Sequence, residues 1–381
     1  MEEHDGHSTT HLTPRLAASL RAWVRSGEHP PGHLFPSERE IAERFSVSRT
    51  TVRRAVKMLV DERLLYRVPG SGTFVGQPAA RGAPATLGLV VPSLANPYYG
   101  ELSEAIEGAA NARGYQLLIG QSQYTSADEA RYLLRYAESP AVKGVLVTPS
   151  GEDPALAAYR YLMERETPFI FTGRVAPAVD ADAVTADLAR GARELVRYLI
   201  ELGHRRIAYV GASRPRPDLS LEGYRLALRD AGVPEDPSLI PALDADNESA
   251  GRLGVQTLRE QGTAFTAIFA RIDMTAATVL QALRAAGLRV PEDVSLVGFD
   301  NTHLSAHLQP PLTTVDTSLQ ELGRLAVALL LDRVEGRYAG PPRHLLLRPQ
   351  IIPRASSARW GGDSDSTFAV RQEGVRERVR D

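Results

Sequence analysis

With 381 residues, 43% of them hydrophobic and 24% charged, the chain has an ordinary soluble composition and exceeds the roughly 250–300 residues that one core sustains, so two or more domains are predicted. It contains no cysteine, which excludes disulfides, thiolate catalysis and cysteine-ligated zinc, and no apolar run approaches the roughly 20 residues of a membrane-spanning helix. The polar start MEEHDGHSTT lacks the basic and apolar segments of an export signal, which predicts a cytoplasmic protein. The net charge of -2 is unevenly divided: residues 12–75 hold 11 Lys and Arg against 6 Asp and Glu, a net +5, leaving -7 elsewhere. A basic head on an acidic body suits a protein whose head meets a polyanion.

Leu12, Leu16, Leu20 and Val24 fall at helical spacing and predict a helix over 12–26, broken by Pro30, Pro31 and Gly32. Pro36-Ser37 opens a second helix over 38–45, with Ser37 as N-cap and Glu38 and Glu40 in the first turn. Ser46-Val47-Ser48 is a short turn, and a third helix runs from about Arg49 to Glu62. Leu64–Arg67 and Thr73–Val75 read as two strands around a hairpin tip, Pro69–Gly72. Helix, three-residue turn and helix form a unit that fits the major groove. Arginines at the front of its second helix can bond guanine O6 and N7, and hydroxyls can reach phosphates.

Residues 27–75 resemble the GntR family of winged helix-turn-helix regulators. The likeness is carried by Pro31-Gly32, by Leu34–Ala42, by Val47–Ala55, by Leu64-Leu65 and by Gly70–Val75, with Arg63 standing where the family usually has glycine. The resemblance implies base contacts by Arg39, Arg49 and Arg53, phosphate contacts by Ser48, Thr50 and Thr51, and a wing tip at Gly70 and Gly72. The Gly70-Ser71-Gly72 loop lacks the Lys-Ser/Thr and following helix of a P-loop. The head is therefore assigned residues 10–76.

Residues 77–85 read as a linker, because Pro78, Gly82 and Pro84 oppose a helix. From residue 86, apolar runs at 87–91, 115–120, 144–148, 169–172, 206–211, 266–270 and 294–299 alternate with helical stretches such as 101–113, 188–202, 219–231 and 275–286. This alternation predicts an α/β body with parallel sheets and helices on both faces. A polar tail from about Ser356 to Asp381 shows no apolar face and is expected to be disordered.

Ligands of such folds bind at the carboxyl ends of parallel strands. The polar and aromatic residues that follow successive runs are Asn96 to Tyr99, Thr148, Gly173-Arg174, Asp187, Ser213-Arg214 and Asp273. Of these, Tyr98, Tyr99, Thr148, Arg174, Asp187, Arg214 and Asp273 form the candidate effector site. Two cations against two anions (Arg174 and Arg214, Asp187 and Asp273) suit a neutral, hydroxyl-rich ligand.

Residues 86–355 resemble the effector domain of LacI/GalR regulators, which is similar to periplasmic sugar-binding proteins. The residues that carry this are Val91-Pro92, Asn96–Tyr99, Lys143–Val145, Leu202–Ala208, Gly223-Tyr224, Leu288–Asp300 and Pro310–Val315. The resemblance implies two doubly wound parallel-sheet subdomains with the ligand between them, and a homodimer. Ser220, Ile272, Gly173 and the stretch Asp244-Ala245-Asp246 depart from the family's ligand residues, so no single member's ligand carries over.

A GntR-type head on a LacI-type body resembles the arabinose repressor group. The expected function is a repressor that leaves its operator when a small sugar binds; a sugar phosphate or purine, as effector or corepressor, is the alternative. A solute-binding protein or an enzyme with a regulatory head fits less well, since no export signal, nucleophile–base pair or cofactor loop stands out. No cofactor or metal is predicted. His303 and His307 share a helical spacing but lack a third ligand, and His204 is expected to order a turn.

Overall fold

The computed structural model describes residues 9–361 apart from 31, 63, 69–71, 77–84, 151–154, 212–217 and 244–246. The chain divides into two compact units between Pro84 and Ala85. Residues 77–84 of the segment read as a linker, the wing residue Gly70 and the candidate Arg214 lie outside the described residues.

The first unit contains α1 (Thr9–Arg25), α2 (Glu38–Phe45), α3 (Arg49–Asp61) and an antiparallel hairpin of β1 (Leu65–Val68) and β2 (Gly72–Val75). Ser37 and Glu40 form a capping box: the Glu40 amide donates to the Ser37 hydroxyl at 3.3 Å and the Ser37 amide to the Glu40 carboxylate at 2.7 Å. Ser46 closes α2 in the left-handed region at φ 51°, and Ser48 then caps α3. This tight turn fixes the angle between the two helices. Leu16, Leu20, Phe35, Ile41, Val52, Val56 and Leu59 form the shared core.

The second unit has two lobes. The first carries β3 (Thr86–Val91), α4 (Pro97–Asn111), β4 (Gln116–Gln121), α5 (Ser126–Glu138), β5 (Val142–Val147), α6 (Leu156–Glu164), β6 (Phe169–Thr172) and β7 (Asp182–Ala186). The second carries α7 (Leu188–Glu201), β8 (Ile207–Val210), α8 (Leu219–Asp230), α9 (Asn247–Glu260), β9 (Ala267–Ala270), α10 (Asp273–Ala285), β10 (Ser295–Val297), α11 (His303–His307) and β11 (Thr314–Asp316). The chain then returns through α12 (Leu319–Val334) and β12 (His344–Leu347) to the first lobe and ends with β13 (Gln350–Ile352), which pairs with β11.

In the first lobe six strands run in the order β12-β7-β6-β5-β3-β4, every pair parallel. One apolar cluster lies under α4 and α12 and another under α5 and α6. Because both faces are covered, the central strands read as continuous apolar runs and not as alternation. In the second lobe β10-β9-β8 are parallel, with α7 and α8 on one face and α9 and α10 on the other. Gly223 lets α8 lie against α7: a Cβ there would fall 2.1 Å from the Ala189 carbonyl oxygen. The architecture is the expected α/β arrangement of two doubly wound parallel-sheet lobes.

The expected start of the disordered tail needs correction. Ser356 is buried, its hydroxyl donates to the Leu296 carbonyl at 2.6 Å, and the Trp360 amide donates to the Leu202 carbonyl at 2.8 Å. The segment lacks an apolar face because it is held by hydrogen bonds to a strand and a helix end. Residues 362–381 lie outside the described residues.

Candidate nucleic-acid interface and effector cleft

On α3 the apolar positions Val52, Ala55, Val56 and Leu59 are buried, which turns Arg49, Thr50 and Arg53 outward. Arg49 has no ion pair among the described residues. The Arg53 Nε donates to Glu38 Oε2 at 3.2 Å, and Arg67 donates to Glu38 Oε1 at 2.9 Å. One carboxylate on α2 thus orients an arginine of α3 and an arginine of β1. Arg39 is exposed and lies 3.9 Å from Glu43.

Ser48 and Thr51 differ from the other candidates. The Ser48 hydroxyl accepts from the Thr51 amide at 3.2 Å and lies 2.8 Å from the Thr51 hydroxyl. Thr51 is only 5% exposed, so it holds the start of α3 and does not present its hydroxyl outward as expected. Ser48 stays exposed but is engaged as the cap. Gly72, at φ +123°, packs against Leu34 in the hairpin.

In the body, Asn96 caps α4 and places Tyr98 and Tyr99 at the carboxyl end of β3. Arg174 follows β6; its guanidinium donates to the Tyr99 hydroxyl and lies 5.8 Å from that ring's centroid. The Tyr98 and Tyr99 rings meet edge to face at 5.1 Å. Burial raises the Tyr98 phenol above its ordinary range, Asp300 and Tyr99 add to this, and Arg174 opposes it. The Tyr98 hydroxyl lies against Gly173, where a Cβ would fall 2.9 Å from it, which places it next to Arg174.

The second lobe contributes residues that the sequence reading passed over. Asp300 follows β10 in a left-handed conformation, φ 106°, and bridges to Asp316. Burial holds its carboxyl well above the usual range, Asp273 adds to this, and Arg271 and Arg174 pull it down. Arg271, at the end of β9, donates from Nε to Asp218 Oδ2 at 3.0 Å. The Tyr209 hydroxyl donates to the same oxygen at 2.7 Å. At the rim, Glu101 Oε1 accepts from the His303 amide at 2.8 Å and contacts His303 Nδ1 at 2.6 Å. This clasp joins α4 of the first lobe to α11 of the second. His307 Nδ1 meanwhile donates to the His303 carbonyl, so the two imidazoles are separately engaged.

Several expected effector contacts are corrected. Asp273 is 1% exposed; its carboxylate accepts from the Thr302 amide at 2.8 Å, the Thr302 hydroxyl at 3.2 Å and the Thr314 hydroxyl at 2.6 Å. It ties α10, α11 and β11 together, and burial raises it to about 7. Thr148 is fully buried, its hydroxyl 3.0 Å from that of Thr172. Tyr99 is 2% exposed and packs in the core, where it steadies Arg174. Asp187 caps α7 through the Arg190 amide at 3.1 Å and borders a groove with Arg190, Arg193 and Glu194. Of the expected cleft residues, Tyr98 and Arg174 converge. Asp300 and Arg271 directly follow apolar runs, so the rule that selected the other candidates would have selected them too.

Residues 12–75 match the model for "Bacterial regulatory proteins, gntR family", and residues 196–357 match a "Periplasmic binding protein-like domain". The chain is 31% identical over 333 residues to the HTH-type transcriptional repressor CytR of Escherichia coli K12, covering 84% of this chain and 96% of CytR. It is 28% identical over 355 residues to the arabinose metabolism transcriptional repressor of Geobacillus stearothermophilus, covering 90% of this chain and 96% of that protein. A solved complex of the transcriptional regulator CelR with cellobiose superposes with a TM-score of 0.65 at 28% identity, over 85% of this chain and all of the CelR chain. With a head that displays an arginine-bearing helix and a two-lobed parallel-sheet body, the chain belongs to the LacI-type family of DNA-binding transcription regulators, carrying a gntR-family head.

Proposed function

We propose that the chain is a repressor released from its operator by a small neutral sugar held between the two lobes of the body. The observation that carries this reading is that Tyr98 and Arg174 of the first lobe, and Asp300 and Arg271 of the second, all stand at the carboxyl ends of parallel strands. The balance of two cations and two anions persists with different members: Arg174 and Arg271 against Asp218 and Asp300. With Arg271 matched by Asp218, such a set leaves Arg174 and Asp300 to bond hydroxyls without an unmatched buried charge, and Tyr98 offers a ring face to the ligand's C–H surface. The cellobiose held by the CelR structure and the arabinose metabolism controlled by the Geobacillus repressor support a sugar.

Within this reading Arg39, Arg49 and Arg53 contact bases, Ser48 and Thr50 contact phosphates, and Gly70 and Gly72 bring the wing to the DNA backbone. The protein acts in the cytoplasm as a non-catalytic homodimer on a near-palindromic site, because two-fold proteins read two-fold DNA. A sugar phosphate is the second reading, favoured by Arg174, which forms no ion pair with a carboxylate among the described residues. Calorimetric titration with neutral sugars and sugar phosphates tests both readings. Tight binding confined to phosphates replaces the first with the second, and binding of neither class overturns both.

A further inference from the structure

We infer that Arg271 is a specificity-determining residue of the cleft: it donates to one hydroxyl oxygen of the effector while Asp300 accepts that hydroxyl's proton. The inference rests on the reading of the cleft as a sugar site and goes beyond it by naming how one hydroxyl is selected.

Among the described residues Arg271 is held through its stem and its Nε. Its stem runs over Gly211 at the end of β8, where a Cβ would fall 2.8 Å from both Arg271 Cβ and Cδ. Its Nε is fixed by Asp218, whose other oxygen accepts from the Ser220 amide at 3.1 Å and the Leu221 amide at 3.3 Å at the start of α8. Asp218 is thus fully used in aiming the guanidinium. The terminal nitrogens of Arg271 and the carboxylate of Asp300 make no side-chain hydrogen bond among the described residues. The two groups form no ion pair within 4.0 Å of each other. Arg271 directly follows β9 and Asp300 lies three residues past its parallel neighbour β10, where the Asp273 amide donates to the Phe299 carbonyl at 2.8 Å, so a donor and an acceptor stand at the same carboxyl edge of the sheet. A hydroxyl is both acceptor and donor, so it can satisfy both groups at once. A methylene in the same place would leave both unsatisfied, which is the origin of strong discrimination in polar sites. Arg271 remains 24% exposed on its side chain, so it borders the cleft and is not sealed in the lobe.

The test takes the sugar from a pentose, hexose and disaccharide panel that binds the full-length protein most tightly, together with its singly deoxygenated analogues. Calorimetry is run on wild type, Arg271→Met and Gly211→Ala, with thermal unfolding and operator binding without sugar as controls. Arg271→Met is expected to weaken the parent sugar by on the order of 10–100-fold. One deoxy analogue is expected to bind wild type and Arg271→Met about equally, because the partner of Arg271 is already gone. Gly211→Ala displaces the stem and is expected to give a smaller loss with the same analogue dependence, which keeps the test open should Arg271→Met fail to fold. If Arg271→Met binds the parent like wild type, or every deoxy analogue loses equally in both proteins, the inference is wrong while the cleft reading stands. If wild type binds no sugar of the panel, the cleft reading falls and takes the inference with it.

Discussion

Glu101→Ala removes the carboxylate that joins the two lobes at the rim of the cleft. Its Oε1 receives the His303 amide at 2.8 Å and the His303 imidazole at 2.6 Å. A hydrogen bond to a charged group contributes about 1.5–3 kcal/mol. The His303 side chain is 69% exposed and that of Glu101 25%, so solvent screening reduces the pair to about 1–2 kcal/mol in total. Because both partners belong to different lobes, this free energy favours the closed cleft alone. A loss of that size shifts the closed–open balance about 5–30-fold, and the affinity of a ligand that binds the closed form falls by up to the same factor. Calorimetry with the best-binding sugar is expected to show this weakening, with operator affinity in the absence of sugar unchanged. His303→Ala removes the imidazole but keeps the backbone amide, so its effect should be smaller. Unchanged sugar affinity in Glu101→Ala would show that the clasp does not bias closure.

Three other outcomes are expected. Arg49→Ala should weaken operator binding by about 1–3 kcal/mol while barely changing binding to random DNA at the same salt; equal losses on both, by fluorescence anisotropy, would reduce this exposed arginine to a phosphate anchor. Asp273→Ala should lower the body's stability by about 2–4 kcal/mol in denaturant unfolding, because it strands one buried amide and two buried hydroxyls; a variant of wild-type stability that has lost only its sugar response would restore Asp273 to the ligand site. His204 is buried, contacts the Thr266 hydroxyl at 3.0 Å and donates to the Ala358 carbonyl at 3.1 Å, and burial lowers its basicity. A depressed value means that its neutral form supports folding above the unfolded pKa of about 6.5 and that this support is lost as pH falls through the lower folded value. Thermal unfolding from pH 7.5 to 5 should therefore show a decline that is reduced in His204→Gln, and parallel pH profiles would contradict the assignment.

The head was legible almost residue by residue, because caps and turns are local. Ser37 with Glu40, Ser46 with Ala42 and Ser48 with Thr51 each act across three or four positions, and their geometry follows from sequence alone. The body's central strands were legible because burial on both faces writes them as apolar runs such as Leu87–Val91. The crossings were less so: β11, β12 and β13 are short, and their pairing depends on segments far away in the chain. The cleft was half legible. Position after a strand identifies residues near the mouth, but it does not tell which side chains turn inward. Asp273 and Thr148 obey the positional rule and are consumed by buried hydroxyl partners. Asp300 and Arg271 obey it as well and remain available. The difference lies in tertiary partners such as Thr302, Thr314 and Asp218, which no local pattern discloses.

The most direct test of the account is operator release. Full-length protein is titrated onto a labelled DNA fragment from upstream of its own gene, at one fixed salt concentration, with and without each sugar of the panel. The account predicts tight, sequence-dependent binding in the absence of sugar, and its loss over the concentration range in which that sugar binds the isolated protein. Binding no tighter than to random DNA, or a complex that tightens when sugar is added, would contradict it.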